Sequence, residues 1–143
     1  MENYIHKVQY YETDKMGITH HSNYIRWMEE ARIDFLDQIG LSYKLLEAAG
    51  VFSPVVSVAC DFKAPTTFDD AVEVEVRIEE FRGVRLIIGY RMTKPGGKTV
   101  AAARSVHCFV DREGKPIVLK RTHPEWDEKL KALAAGEAAN GKI

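Results

Sequence analysis

An acid, a glycine and a histidine are closely spaced near the N-terminus of this 143-residue chain. Asp14 lies in a loop after a strand-like run, Gly17 allows the chain to fold back, and His21 lies where a helix is predicted to begin. The amides at the start of a helix favour negative charge, such as the oxyanion of an attacked carbonyl. An aspartate near that point can attack an acyl carbon or deprotonate a water molecule. A thioester suits this chemistry, because a thiolate leaves without strong acid assistance.

Two predicted elements position these residues. Residues 4–11 are rich in aromatic and β-branched types and predict a strand. Apolar residues at helical spacing predict a helix from Ser22 or Asn23 to Ile39. Ser22 and Asn23 are both favoured N-cap types, so Asn23 also has a purely structural interpretation.

After a short predicted helix at residues 42–49, the apolar period changes to two, which is typical of strands. Residues 71–80 place valine and isoleucine on one side and charged residues on the other, as in an antiparallel sheet with one buried face. A terminal helix, with Thr122 as its expected cap, closes the sequence. The remaining strands are predicted within residues 51–63, 86–92 and 99–111.

This element order predicts an α+β fold in which a five-stranded antiparallel sheet wraps around one long helix. We expect a single domain over residues 1–135 and a frayed tail over residues 136–143. Such a sheet has long edges, and an exposed flat edge promotes association. We therefore expect at least a homodimer.

Composition narrows the functional classes. A formal net charge of −1 gives no global attraction to nucleic acid, and no apolar run approaches the ~18 residues that span a bilayer. Cys60 and Cys108 lie far apart in strand-like runs and fit reduced, buried thiols in a cytoplasmic protein better than a disulfide framework. They are too few for a structural zinc site. No histidine and carboxylate set has metal-ligand spacing, so we predict no metal. No glycine-rich phosphate loop is present.

Three motifs resemble those of hotdog-fold acyl-CoA thioesterases of the 4-hydroxybenzoyl-CoA thioesterase type. The first and most specific is Tyr-Glu-Thr-Asp-x-x-Gly-Ile-x-x-His-x-Asn-Tyr at residues 11–24, followed by Glu29-x-Ala-Arg32. The second comprises Asp-Phe-Lys-Ala-Pro at residues 61–65 and Asp-Asp-Ala-Val-Glu-Val at residues 69–74. The third runs from Val100 to Pro116, so the resemblance covers about residues 5–120.

The resemblance implies hydrolysis of an acyl-CoA, or of an acyl carrier protein thioester, without metal or organic cofactor. It implies that Asp14 is the catalytic carboxylate, as nucleophile or as general base, and that the His21 amide polarises the carbonyl, with the His21 side chain as a secondary candidate. The family's active site lies at a subunit interface, and tetramers are usual. Glu12 stands where the family often has aspartate, which puts only loop geometry in doubt. The expected substrate-binding residues are Gly17, Asn23, Tyr24 and Lys63.

Two other functions remain open from the sequence. A hotdog dehydratase or hydratase would use His21 with Asp14 to move a proton at carbon of a 3-hydroxyacyl or enoyl thioester. A non-catalytic module would only bind an acyl thioester. Several residues also have structural interpretations: Glu29 and Arg32 form an ion pair at a spacing of three, His107 is a packed or interface histidine, and Lys63 is a solvated charge.

Overall fold

The computed structural model describes residues 1–136 as one five-stranded antiparallel sheet with four helices. Residues 137–143, most of the expected frayed tail, lie outside the described residues, and the single domain over residues 1–135 stays a prediction. The strands are β1 (Tyr4–Lys7), β2 (Val55–Phe62), β3 (Ala71–Arg82), β4 (Arg85–Thr93) and β5 (Thr99–Cys108). The helices are α1 (Ser22–Gln38), α2 (Tyr43–Ala48), α3 (Leu119–Thr122) and α4 (Pro124–Ala134).

The strand order in the sheet is β1-β3-β4-β5-β2, and every neighbouring pair is antiparallel. The two strands that follow each other after α2 in the chain, β2 and β3, are therefore not neighbours in space. β2 lies at one edge of the sheet, and β1 lies at the other. This arrangement confirms the predicted hotdog fold.

The core lies between α1 and the inner face of the sheet. The predicted alternation of β3 is confirmed, because Val72, Val74 and Ile78 are buried on that face. The helix contributes Trp27, which is fully buried, and further apolar residues at helical spacing. Full burial of one such large apolar side chain stabilises the fold by about 1.5–3 kcal/mol, so this helix is held mainly by packing.

The C-terminal end of α1 follows the predicted pattern. Gly40 has φ of 83°, which a side chain would disfavour, and the amide of Leu41 bonds to the carbonyl of Leu36 at 2.9 Å. The side chain of Ser42 then caps α2 by accepting the amide of Leu45 at 3.1 Å. The short loop therefore turns the chain sharply back onto α1.

Two sequence-based boundaries are wrong. The first strand ends at Lys7 instead of continuing to Tyr11, because residues 10–12 form a short 3-10 helix. Thr122 does not cap the terminal helix; it ends α3, and His123 precedes Pro124 at the start of α4 without a side-chain cap. In both places local turn geometry overrides the propensity of the residues.

Strand β2 differs from the other strands in its exposure. Seven of its eight residues are exposed, although the strand is rich in valine. Val56 is 62% exposed and Phe62 is 50% exposed. A strand with two open faces and one open hydrogen-bonding edge is an association surface.

Candidate active site

The loop that carries Asp14 is a tight turn closed at its base. Thr13 and Thr19 form an antiparallel bridge, and the amide of Asp14 bonds to the carbonyl of Ile18 at 2.8 Å. Gly17 has φ of 82°, and its amide bonds back to the carbonyl of Asp14 at 2.9 Å. The carboxylate of Asp14 accepts the amide of Met16 at 2.8 Å and is partly exposed. The positive φ explains why a glycine stands at position 17.

The start of α1 is capped by a histidine ring. Nδ1 of His20 lies 3.2 Å from the amide nitrogen of Ser22 and 2.9 Å from its hydroxyl. The amides of Asn23 and Tyr24 bond to the carbonyls of His20 and His21 at 3.0 and 3.2 Å. The expectation that Ser22 or Asn23 caps the helix is therefore wrong, because both residues already belong to its first turn.

One backbone amide at the start of α1 has no acceptor in the part of the chain that the structure describes. Within residues 1–136, the N–H of His21 donates to no protein acceptor, and the residue is exposed. The imidazole of His21 stacks on His20 with ring centroids 4.4 Å apart and meets Phe62 edge-on at 6.1 Å. A free N–H beside the positive end of a helix dipole is suited to binding a developing oxyanion.

Glu12 ties the loop to the start of α1 through its backbone. Its carbonyl accepts the amide of His20 at 2.8 Å and the side-chain amide of Asn23 at 2.9 Å. Asn23 is buried and also donates to the carbonyl of His20 at 3.3 Å. Asn23, expected near the substrate, thus lies in the structure as a clamp between the loop and the helix.

The carboxylate of Glu12 is buried, and both of its oxygens have hydrogen-bond partners. It accepts the amide of Gln9 at 2.8 Å and the indole N–H of Trp27 at 2.9 Å, and it lies 2.8 Å from Nε2 of His6. His6 in turn lies 3.4 Å from Glu30. Burial alone would raise the pKa of the Glu12 carboxyl, but the bonds from Gln9, His6 and Trp27 outweigh it and lower that pKa.

Sequence reasoning missed this cluster. The partner of His6, Glu12, follows a change from strand to 3-10 helix, and no regular period connects the two residues. The resemblance connects Glu12 only with the geometry of the loop. The structure shows that its carboxylate contacts Gln9, Trp27 and His6. The one available signal was a glutamate directly after Tyr10 and Tyr11.

A hydroxyl chain joins the loop of Asp14 to the segment before β3. The hydroxyls of Thr19 and Thr66 lie 2.6 Å apart, and the hydroxyl of Tyr24 lies 2.9 Å from that of Thr66. The hydroxyl of Thr67 donates to the carbonyl of Gly17 at 2.6 Å. Tyr24 is 3% exposed, and burial raises its pKa. Its neutral phenol therefore has a structural role here, as a hydrogen-bonding partner of Thr66.

The other expected residues lie apart from this network. Lys63 is exposed at the end of β2, and its amide bonds to the carbonyl of Val100 at 2.7 Å. The dehydratase alternative needs the carboxylate of Asp14 beside the imidazole of His21, whereas the structure gives the two side chains separate contacts. The predicted Glu29 and Arg32 pair is confirmed, with Nη2 of Arg32 2.9 Å from both carboxylate oxygens.

Neither a metal cluster nor a membrane helix is found in the part of the chain that the structure describes. No three side chains among its histidines, cysteines, aspartates and glutamates lie together in a way that could hold a metal ion. None of its helices is both long enough and apolar enough to span a membrane. Cys60 and Cys108 are free thiols, and burial raises the pKa of Cys60 to about 11, which disfavours its reactive thiolate.

Comparison with known proteins supplies the family. A family model described as the thioesterase-like superfamily matches residues 8–133. The chain belongs to this superfamily. YneP of Bacillus subtilis is 37% identical over 121 residues, which are 84% of this chain and 88% of YneP. Acyl-CoA thioester hydrolase YbgC of Escherichia coli is 30% identical over 105 residues, 73% of this chain and 78% of YbgC.

The thioesterase superfamily assignment also agrees with the three-dimensional structure. The crystal structure of a DHNA-CoA thioesterase from Staphylococcus aureus matches with a TM-score of 0.90 at 29% identity, over 99% of this chain and 95% of that one. The resemblance drawn from the motifs at residues 11–24, 61–74 and 100–116 is thereby confirmed, as is the prediction of a thioester hydrolase.

Proposed function

We propose that this thioesterase hydrolyses acyl-CoA to a free acid and coenzyme A. The family membership supports thioester hydrolysis, and the names of YbgC and of the S. aureus enzyme point to coenzyme A as the thiol. The observation that carries the proposal is the unused N–H of His21 beside a loop that presents a partly exposed carboxylate, Asp14.

In the proposed reaction, the thioester carbonyl oxygen accepts the N–H of His21. Asp14 either attacks the carbonyl carbon or removes a proton from the water molecule that attacks it. The C–S bond then breaks, and the thiolate leaves with the electron pair. If Asp14 attacks, water hydrolyses the resulting anhydride. The side chain of His21 is a secondary candidate, and the clamp from Glu12 and Asn23 fixes the distance between the two groups.

The proposed substrate class is tested by thiol release. Purified protein is incubated with short, long and aromatic acyl-CoAs, and free thiol is measured with a chromogenic disulfide. We expect turnover with at least one of the three classes. Absence of thiol release from all three, by a folded protein, would reject the proposed activity.

We also propose that two copies pair through β2 to form at least a homodimer. The open edge, the exposed valines and Phe62 at the end nearest the His21 ring support this arrangement. Pairing of the two β2 edges would give a continuous ten-stranded sheet and would bring the second subunit close to the proposed site. A homotetramer made from two such dimers is the larger assembly that we consider.

A further inference from the structure

His6 links the first strand to the carboxylate of Glu12. It lies on β1, and Nε2 of its ring is 2.8 Å from Oε1 of Glu12. Glu12 is ionised at neutral pH, because burial raises its pKa less than its hydrogen bonds lower it. A carboxylate only accepts hydrogen bonds, so Nε2 of His6 carries the hydrogen and donates it. The ring also packs on Trp27 with centroids 4.7 Å apart, and the His6 side chain is 12% exposed.

A second carboxylate lies on the other side of the His6 ring. Nδ1 of His6 is 3.4 Å from Oε1 of Glu30 on α1, and the hydroxyl of Tyr4 donates to the same oxygen at 2.6 Å. Glu30 is therefore held from β1 by two side chains, and the imidazole lies between the carboxylates of Glu12 and Glu30. Contacts from β1, from the 3-10 turn and from α1 together fix the orientation of this ring.

The backbone of Glu12 carries this restraint to the start of α1. Its carbonyl accepts the amide of His20 at 2.8 Å and the side-chain amide of Asn23 at 2.9 Å. Asn23 also donates to the carbonyl of His20, from its side chain at 3.3 Å and from its backbone amide at 3.0 Å. The C=O and N–H of a trans peptide point in opposite directions, so a fixed carbonyl of His20 also fixes the direction of the His21 N–H.

Glu12 restrains the loop of Asp14 as well. The 3-10 turn is closed twice by this residue, because its amide bonds to the carbonyl of Gln9 at 3.0 Å and its carboxylate accepts the amide of Gln9 at 2.8 Å. Asp14 follows only two residues later. One side chain, that of Glu12, therefore lies between the two groups of the proposed site, Asp14 and the His21 amide, and His6 holds that side chain from the sheet.

We propose that His6 is a positioning residue for thioester hydrolysis, acting through its hydrogen bond to Glu12. This inference rests on the proposed acyl-CoA hydrolysis and adds to it a residue of β1, outside both the loop and the helix. His6 acts on the distance between the carboxylate of Asp14 and the N–H of His21, and not through contact with the thioester. That distance matters most in the transition state, so loss of the bond is expected to change kcat more than KM.

Two substitutions separate the hydrogen bond of His6 from the packing of its ring. His6→Phe keeps an aromatic ring on Trp27 but has no donor, whereas His6→Gln loses the ring and keeps an NH₂ group for Glu12. With the best acyl-CoA, we expect His6→Phe to lower kcat about tenfold or more and to change KM less than about twofold. We expect His6→Gln to retain at least about half of the wild-type kcat, because it retains the bond. His123→Phe, the same change between α3 and α4, should leave both constants unchanged.

The kinetic outcomes decide the proposal. A wild-type kcat in folded His6→Phe overturns it, and so does a loss in His6→Gln as large as that in His6→Phe, because packing alone would then explain both. If His6→Phe does not fold, His6→Leu, which is smaller and also lacks a donor, takes its place. The loss of kcat in His6→Phe combined with Asn23→Ala should be smaller than the product of the two separate losses, since both residues act through Glu12. Losses that multiply overturn this route.

Hydrogen exchange measures the same restraint without turnover. The amide of His20 bonds to the carbonyl of Glu12, so its exchange rate, followed by NMR, reports that bond. We expect this rate to be about tenfold higher in His6→Phe than in wild type and in His6→Gln. If wild-type protein releases no thiol from any acyl-CoA, the proposed activity fails, and these rates decide the role of His6: equal rates in wild type and His6→Phe overturn it.

Discussion

At the scale of single residues, the buried carboxylate of Glu12 holds the loop of Asp14 more directly than any other side chain described above. It receives hydrogen bonds from Gln9 and Trp27 and lies against His6. We predict that Glu12→Gln lowers the free energy of unfolding by about 1–3 kcal/mol at pH 7. The reason is that the amide NH₂ of glutamine cannot accept from these donors. Urea unfolding measures the change; Glu128→Gln, at an exposed position of α4, is the control, and equal stability of Glu12→Gln and wild type would contradict the assignment.

The same carboxylate predicts a pH dependence. The hydrogen bonds lower the pKa of Glu12 in the folded state below its ordinary value of 4.5. Its contribution to stability is therefore complete above pH 4.5 and is lost as the pH falls through the folded-state pKa. Urea unfolding of wild type and Glu12→Gln at pH 7 and at pH 3 should show the stability difference shrinking in acid. A difference that stays constant or grows would contradict this reading.

The sequence indicates where the candidate residues lie along the chain, but not the contacts that connect them. Asp14 lies in the predicted loop and His21 lies at the predicted start of α1, because a motif fixes their spacing along the chain. The contacts of Glu12 with His6 and of Tyr24 with Thr66 depend on how strands and turns meet in space. The periodicity of the sequence does not indicate such contacts. It also does not predict that the His20 ring accepts the amide of Ser22.

At the scale of elements, the loop and α1 act as one unit because Asn23 bonds to the carbonyls of Glu12 and His20. We predict that Asn23→Ala lowers kcat at least tenfold with a smaller change in KM, because the loop and the helix start lose their fixed distance. Asn23→Asp should behave similarly, since a carboxylate cannot donate to a carbonyl. Steady-state kinetics with the best substrate provides the measurement, and Lys44→Ala, at an exposed position of α2, is the control.

Retention of wild-type kcat by both Asn23 variants would show that the clamp is not needed for activity. Their thermal unfolding should be measured in parallel, because loss of two buried hydrogen bonds also lowers stability by about 1–3 kcal/mol. Activity measured well below the unfolding temperature separates the two effects.

Helices and strands could be told apart in the sequence, because the spacing of apolar residues changes clearly at residue 51. The helical spacing of α1 and the alternation of β3 report which face is buried, and both are confirmed. The order of strands in the sheet was not predictable in the same way, because it depends on contacts between distant parts of the chain. Element ends were the weakest predictions, as the early end of β1 and the one-turn α3 show.

At the scale of the whole molecule, the exposed edge strand β2 predicts association. Val56 is 62% exposed on this strand. We predict that Val56→Lys converts the assembly to monomers, because a charge on a strand edge disfavours pairing. Light scattering after size-exclusion chromatography gives the mass directly, and Leu45→Lys, at an exposed position of α2, is the control. A wild-type protein that is monomeric at micromolar concentration would contradict the proposed dimer.

The most direct test of the proposed chemistry is thiol release by Asp14→Asn. The asparagine oxygen can still accept the amide of Met16, so the fold and the unfolding temperature should be retained. The variant cannot attack the carbonyl or activate water in the same way, and kcat is predicted to fall by about 100- to 10,000-fold. Asp37→Asn, at an exposed position of α1, should keep the wild-type rate. Hydrolysis of acyl-CoA by folded Asp14→Asn at the wild-type rate would contradict the account.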